Sequence, residues 1–251
     1  MSPFVPVHGY DPKLLADSTL VFPSVSIGNI PQLTCDLVIH SLKLERVGFI
    51  DSQTVMPVAG AREAEDNSGV VVAIEVYQSA DRKLTVVQQR SPVFKGKRKQ
   101  YIEDMTAFIK EHAFAQVILL TSADAGRRVD TQIRSTPFRV FGTTDLAEKA
   151  VNAGIHKLEQ VGEEHEGEKY SVPEITGAGL ARPLYDALKD YSVATTLFVM
   201  FALEGDNASD AIEYANILNT VTRINTTESS WTPPKAWELL FGTPVNRELY
   251  Q

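Results

Sequence analysis

Residues 19–50 read TLVFPSVSIGNIPQLTCDLVIHSLKLERVGFI, and their pattern sets the fold class. Thr19–Phe22 is a short apolar run that predicts a strand, and Pro23 stops it because proline has no N–H to give to a ladder. Ser24–Asn29 is small, polar and glycine-containing, as a tight turn requires. Asn29 is positioned to cap a helix, and Pro31 is tolerated in a first helical turn. Ile30, Leu33, Leu37, Val38 and Leu42 then recur at close to helical spacing and predict one buried helix face. Arg46–Ile50 returns to a strand pattern. A strand, a crossover helix and a parallel strand make a right-handed βαβ unit, so the chain predicts an α/β domain.

Working outward, residues 1–18 carry Pro3, Pro6, Gly9 and Pro12 without a period and predict an extended lead-in. Thr54–Val58 is a short strand candidate, and Gly60–Gly69 reads as a solvated acidic loop. Val70–Tyr77 and Lys83–Arg90 are β-rich and flank the turn-like Ser79–Arg82, which predicts a hairpin. That places an antiparallel pair inside an otherwise mostly parallel sheet. Tyr101, Ile102, Met105, Phe108 and Ile109 mark a helix preceded by the basic run Lys95-Gly96-Lys97-Arg98-Lys99. Gln116–Ser122 is a buried central strand candidate, followed by a polar loop over Ser122–Arg128. Asp145–Gln160 and Leu180–Lys189 have helical patterns, and the apolar run Val193–Leu203 reads as a buried helix ended by Gly205. Asp206 or Asn207 caps the next helix, which makes Glu204–Asn207 a helix–helix corner. Ala236–Phe241 is a short turn expected to dock Trp237 and Phe241. With no repeat and no low-complexity linker, residues 1–242 form a single domain and 243–251 a flexible tail.

The composition bounds the function. The chain has 251 residues, enough for a full core, with 43% hydrophobic and 22% charged residues. A net charge of −8 argues against a general nucleic-acid or anionic-membrane binder while allowing a local basic patch. Cys35 is the single cysteine, so no intrachain disulfide forms, and its place on an amphipathic helix predicts a buried side chain. No run approaches about 18 apolar residues, and the start lacks a basic region followed by an apolar one. A cytoplasmic and nuclear location is the expectation.

The loop after the central strand is where an α/β enzyme would place chemistry, and Asp124 and Arg127 lie in it. Arg134 and Glu204 are the other charged candidates. An enzyme reading needs two or more of these four within hydrogen-bond reach in one pocket. The pattern lacks a phosphate-cradling glycine consensus and a nucleophile beside a histidine. His8, His40, His112, His156 and His165 show no metal-ligand spacing. His165, in Glu163–Lys169, reads as solvent-facing. Gly177 and Gly179 before a helix read first as a close-packed turn and only weakly as an anion site.

Four blocks carry a resemblance: Phe22–Ile39, Arg134-Ser135-Thr136-Pro137-Phe138-Arg139, Glu204–Asn207 with Asp210-Ala211, and Trp237–Gly242. Spread in order over nearly the whole chain, they resemble the proteasome assembly chaperone 2 family. The resemblance implies a three-layer α/β/α sandwich with a mixed, mostly parallel sheet, similar to the nucleoside-phosphorylase type of core. It implies a non-catalytic chaperone without cofactor that pairs with proteasome assembly chaperone 1. That heterodimer would hold α-subunits while the 20S α-ring forms and block aberrant association. The competing reading is a small-molecule hydrolase or phosphorylase on the same core, since fold alone does not fix function. The last residues, Leu249-Tyr250-Gln251, fit a hydrophobic–tyrosine–any-residue tail. By resemblance Leu249 would fill an apolar pocket between α-subunits, Tyr250 would pack at its mouth, and the Gln251 carboxylate would pair with a lysine. Capture of a chain terminus and the large, rigid area of tyrosine make that mode physically sound.

Overall fold

The computed structural model describes residues 3–62, 69–160, 170–225 and 230–239. Its strands are β1 (Phe4–Pro6), β2 (Thr19–Pro23), β3 (Glu45–Ile50), β4 (Ala59–Ala61), β5 (Val70–Val72), β6 (Ile74–Gln78), β7 (Leu84–Gln89), β8 (Gln116–Asp124), β9 (Phe138–Phe141), β10 (His156–Lys157) and β11 (Thr195–Ala202). Its helices are α1 (Ile30–Ser41), α2 (Arg98–Glu111), α3 (Asp130–Ile133), α4 (Asp145–Asn152), α5 (Ala181–Asp190) and α6 (Ala208–Thr222). Short 3₁₀ turns cover Pro12–Leu15, Ile27–Asn29, Ala125–Arg127 and Lys235–Leu239.

Nine strands form one mixed sheet in the order β1-β3-β6-β7-β2-β8-β11-β9-β10, and β4 pairs separately with β5. The centre β7-β2-β8-β11 is parallel. Antiparallel partners extend it on both sides, β6 beside β7 and β9 beside β11. Alternate residues of β8 explain the three layers. Val117 and Leu119 face a core completed by Met105 and Phe108 of α2 and Leu184 and Leu188 of α5. Ile118 and Leu120 face the other core, with Val38 of α1, Ala147 of α4 and Tyr214 of α6. A strand buried on both faces is expected to be apolar on both, and β8 is so from Val117 to Leu120.

The predicted βαβ start holds in direction but not in adjacency. β3 runs parallel to β2, but β7 and β6 are inserted between them as an antiparallel hairpin. The predicted hairpin across Ser79–Arg82 is therefore what separates the two strands. Asn29 sits at the start of α1 with a left-handed φ of 52° and its side chain caps no backbone N–H. It instead accepts from Gln32 Nε2 at 3.3 Å. Cys35 is buried, and burial pushes its thiol well above the ordinary value.

Other expectations need correction. The lead-in contains β1, which pairs antiparallel with β3 because Phe4 enters the core beside Phe108. Thr54–Val58 forms one isolated bridge, Val55 to Val93, rather than a strand. The 60–69 loop begins in β4, and β8 continues to Asp124, two residues beyond the predicted strand end at Ser122. The helix predicted over 145–160 stops at Asn152, and β10 follows. β9 was hidden by its length of four residues. The largest error is Val193–Leu203: the run is β11, a central strand, not a helix. A continuous apolar run lacks the period that separates the two, and Thr195, Thr196 and Val199 favour the pleated sheet. Glu204–Asn207 is thus a strand–helix corner.

Candidate functional site

Four parallel strands bring their C-terminal ends to one edge, where open α/β sheets ordinarily bind ligands. Here the loops are spliced across much of that crevice and leave cavities of about 170 Å³ beside Ser24, Gln89 and Gly179 and about 210 Å³ beside Asp124 and Phe201. Ser26 Oγ and Ser122 Oγ lie 2.8 Å apart, and Ser122 Oγ donates to the Ile27 carbonyl at 2.5 Å. Ser24 Oγ donates to the Ala178 carbonyl and accepts from the Leu180 N–H, both at 3.1 Å. Thr121 Oγ1 donates to the Ala178 carbonyl at 3.0 Å. These hydroxyls are bonded to backbone and to one another, so they splice the 24–29 and 176–180 loops rather than present a nucleophile.

Glycine makes the splice possible. A Cβ at Gly179, φ 61°, would stand 2.0 Å from the Val25 carbonyl oxygen. One at Gly28, φ 69°, would stand 2.5 Å from Asn207 Nδ2. Asn207 Nδ2 donates to the Gly28 carbonyl at 3.2 Å and to the Gly205 carbonyl at 3.1 Å. Two separate blocks of the resemblance, Phe22–Ile39 and Glu204–Asn207, thus meet at one contact. The Asp210-Ala211 pair adds to it, since the Ala211 carbonyl accepts from Thr34 Oγ1 of α1 at 3.4 Å.

Asp124 and Arg127 both line a cavity of about 210 Å³ that also takes Gln132, Glu159, Glu174 and Phe201. Among the described residues they form no hydrogen bond or ion pair with each other, and Asp124 spends its carboxylate on the Gly126 N–H at 2.8 Å. Arg134 and Glu204 do not line this cavity. The four candidates are not brought together within hydrogen-bond reach. Sequence reasoning singled out Arg134, whereas the residue that organises this wall is Arg139, which is fully buried. Its Nε bonds Glu159 at 2.8 Å, Nη1 the Thr136 and Phe138 carbonyls at 2.7 and 2.8 Å, and Nη2 the Ser135 Oγ at 2.8 Å. Glu159 is pushed up by burial but held below its ordinary value by hydrogen bonds from Arg139 and Gln132. A second arginine in the block, spaced to alternate inward on β9, was the available signal.

His112 stacks among Phe4, Phe108 and Phe114, and burial lowers its pKa. No group of three or more potential metal ligands occurs among the described residues. Trp231 and Trp237 pack, half-buried, on the layer of α1 and α6, and Trp231 Nε1 donates to Asn216 at 2.8 Å. They belong at least partly to this chain's own core. His165, Phe241 and the tail residues Leu249, Tyr250 and Gln251 lie outside the described residues.

A sheet of this topology, with its strand-end loops spliced together and a motif set spent on loop packing, defines the class. The chain belongs to the PAC2 family, whose match spans residues 20–224. This family of chaperones is non-catalytic, in keeping with hydroxyls and carboxylates that serve packing. More particularly, the chain is 34% identical to proteasome assembly chaperone 2 of Xenopus tropicalis and 31% identical to that of Homo sapiens. Both alignments cover 98% of this chain and 100% of the relative. In fold it is similar to Pyrococcus furiosus PbaA, described as an archaeal homologue of proteasome-assembly chaperone (TM-score 0.63, 13% identity, 90% of this chain and 88% of that one). It is also similar to PbaB of that organism, an archaeal proteasome activator (TM-score 0.59, 16% identity, 88% and 89%).

Proposed function

We propose that this protein is a chaperone of 20S proteasome assembly that works as a heterodimer with proteasome assembly chaperone 1. In this reading the pair holds α-subunits while the α-ring forms and blocks aberrant association. The observation that carries it is end-to-end similarity to proteasome assembly chaperone 2 from two vertebrates. The similarity extends beyond the matched family region, covering 98% of this chain. Leu249, Tyr250 and Gln251 are assigned to a pocket between α-subunits, with the carboxylate as a charge available once per chain. The work is done in the cytoplasm and nucleus, where α-rings are built.

The test is affinity purification from cells, with mass spectrometry of the co-purifying chains. The expected set is proteasome assembly chaperone 1 and α-subunits without mature catalytic particles. Mature particles alone, or no α-subunits, overturn the proposal. Deleting Leu249–Gln251, or Tyr250→Ala, is expected to weaken α-ring binding while heterodimer formation persists. Because the tail acts beside a bound neighbour, effective concentration makes the loss partial. Unchanged binding in both variants removes the tail from the proposal.

A further inference from the structure

The run Lys95–Lys99 has a neighbour the sequence does not reveal. Loops 54–58 and 91–97 lie side by side, joined by the Val55–Val93 bridge. Phe94 N–H donates to the Thr54 carbonyl at 2.8 Å, Met56 N–H to the Pro92 carbonyl at 3.1 Å, and Ser91 Oγ to the Met56 carbonyl at 2.6 Å. This fixed frame holds three large apolar side chains in solvent: Met56 is 46% exposed, Val58 38% and Phe94 40%. Lys97 N–H closes a turn onto the Phe94 carbonyl at 3.0 Å, so the basic run begins where the apolar residues end. Four cations fall within five residues of a chain whose net charge is −8. Among the described residues no carboxylate pairs with Lys95, Lys97 or Arg98, and Lys99 reaches Glu103 only at 3.9 Å with both side chains exposed. A cavity of about 170 Å³, lined by Pro92, Val93, Arg98 and Tyr101, opens beside Arg98.

We propose that Met56, Val58 and Phe94, rimmed by Lys95–Lys99, form a docking surface for a protein face that is acidic around an apolar centre. An exposed apolar centre with a charged rim is the anatomy of a protein interface. The sign of the rim sets the sign of the partner, because complementary potentials steer encounter and like charges are penalised. Helix stability does not account for the cations, since positive charge at a helix N-terminus opposes the macrodipole. Nucleic acid fits less well, because the basic patch ends within one turn at Glu103 and Asp104 and its centre offers one aromatic ring, Phe94, beside the aliphatic Met56 and Val58 rather than a stacking platform. The cavity beside Arg98 suits one acidic side chain of the partner.

The inference deepens the proposed function and rests on it: the partner face is expected on a proteasome α-subunit or on proteasome assembly chaperone 1. The full chain, a Lys95→Glu/Lys97→Glu/Arg98→Glu/Lys99→Glu variant and a Met56→Ser/Phe94→Ser variant are titrated with each purified partner at low and high salt. The charge-reversed chain is expected to lose roughly tenfold or more in affinity for one of them at low salt, with the loss shrinking as salt rises. Its melting temperature should not fall, because glutamate suits the start of α2, so lost binding is not lost folding. The apolar variant is expected to lose affinity for the same partner with little salt dependence, its fold checked by circular dichroism. Carbodiimide should join Lys95, Lys97 or Lys99 to a carboxylate of that partner. Wild-type affinity in both variants for both partners overturns the inference and leaves the proposed function standing. Failure of the unaltered chain to bind either partner overturns both. Binding to homopolymeric RNA that the charge reversal abolishes, with protein binding unchanged, overturns the protein surface in favour of a nucleic-acid one.

Discussion

The two wings of the sheet each bury a charge, and they secure it differently. On the β9–β10 wing the fully buried Arg139 has one carboxylate partner among the described residues, Glu159, whose side chain is 39% exposed. On the β3–β6 wing the fully buried Glu75 has two cations, Arg46 at 2.7 Å and Arg90 at 3.5 Å. Tyr77 also donates to Glu75 at 3.2 Å, and burial, then the Glu75 charge, pushes that phenol up to about 12, so it stays a donor. Arg90 further pairs with Asp36 of α1 at 3.0 Å, and Arg46 Nη1 also donates to the Val70 carbonyl at 2.6 Å. One wing sets a single described ion pair beside neutral bonds to Thr136, Phe138 and Ser135, while the other shares its charge over β3, the β6–β7 hairpin and α1. The difference teaches that burial of a charge does not by itself say how costly its loss is. What matters is how many partners remain.

The sharpest break of this comparison is Glu159→Gln. It removes the described counter-charge of a buried guanidinium that keeps its bonds to Thr136, Phe138 and Ser135, and with the half-exposed carboxylate screened by solvent stability should fall by about 2 kcal/mol, read by urea unfolding. On the other wing Arg46→Met or Arg90→Met each leaves Glu75 with one cation, and each should cost about 1 kcal/mol. The double replacement should cost more than the sum, because only then is the buried carboxylate abandoned. If Glu159→Gln costs no more than Arg90→Met, the two wings are equivalent and the distinction fails.

Acid sharpens it further. A carboxyl whose folded pKa is held below the unfolded one contributes stability above the unfolded value, and that contribution is lost as pH falls through the folded value. Glu159 is such a group, so its share is fully present near neutrality, begins to be lost below about pH 4.5 and is gone once pH has fallen through the lowered folded value. The acid loss should be shallower in Glu159→Gln than in the unaltered chain, measured as unfolding free energy against pH.

How much of this was legible beforehand depends on period. The helices α1, α2, α5 and α6 followed from helical spacing, the hairpin β6–β7 from β-rich runs around turn residues, and β8 from an apolar run too short for a helix. β11 did not, because eight consecutive buried residues satisfy either period. The order of strands was also out of reach: nothing local in β6 and β7 says that they slide between β2 and β3. For the site, the four resemblance blocks were visible as text, but their use was not. Gly28 against Asn207 and Arg139 against Glu159 are contacts across 179 and 20 residues. The exposed trio Met56, Val58 and Phe94 appeared only once two loops were seen to pair.

The helices flanking the two wings extend the contrast to its smallest effect. α4 opens as stability would choose: Thr144 accepts from the Ala147 N–H at 3.1 Å, and Asp145 and Glu148 occupy the first turn. Thr144→Ala should cost about 1 kcal/mol. α2 opens on Lys97 without a side-chain cap, with no acidic residue in its first turn and Arg98 and Lys99 there instead. Its N-terminal N–H groups carry partial positive charge, and the arginine adds to it. Arg98→Glu therefore replaces a repulsion by an attraction and should raise stability by about 0.5 kcal/mol at low ionic strength. The gain should fade toward 1 M salt, where the screening length falls to about 3 Å. Thermal unfolding at the two salt concentrations measures it. A gain at low salt means that α2 carries its cations at a cost to the fold, as a surface kept for a partner would. A loss means that Arg98 supports its own helix after all, and the contrast between α2 and α4 closes.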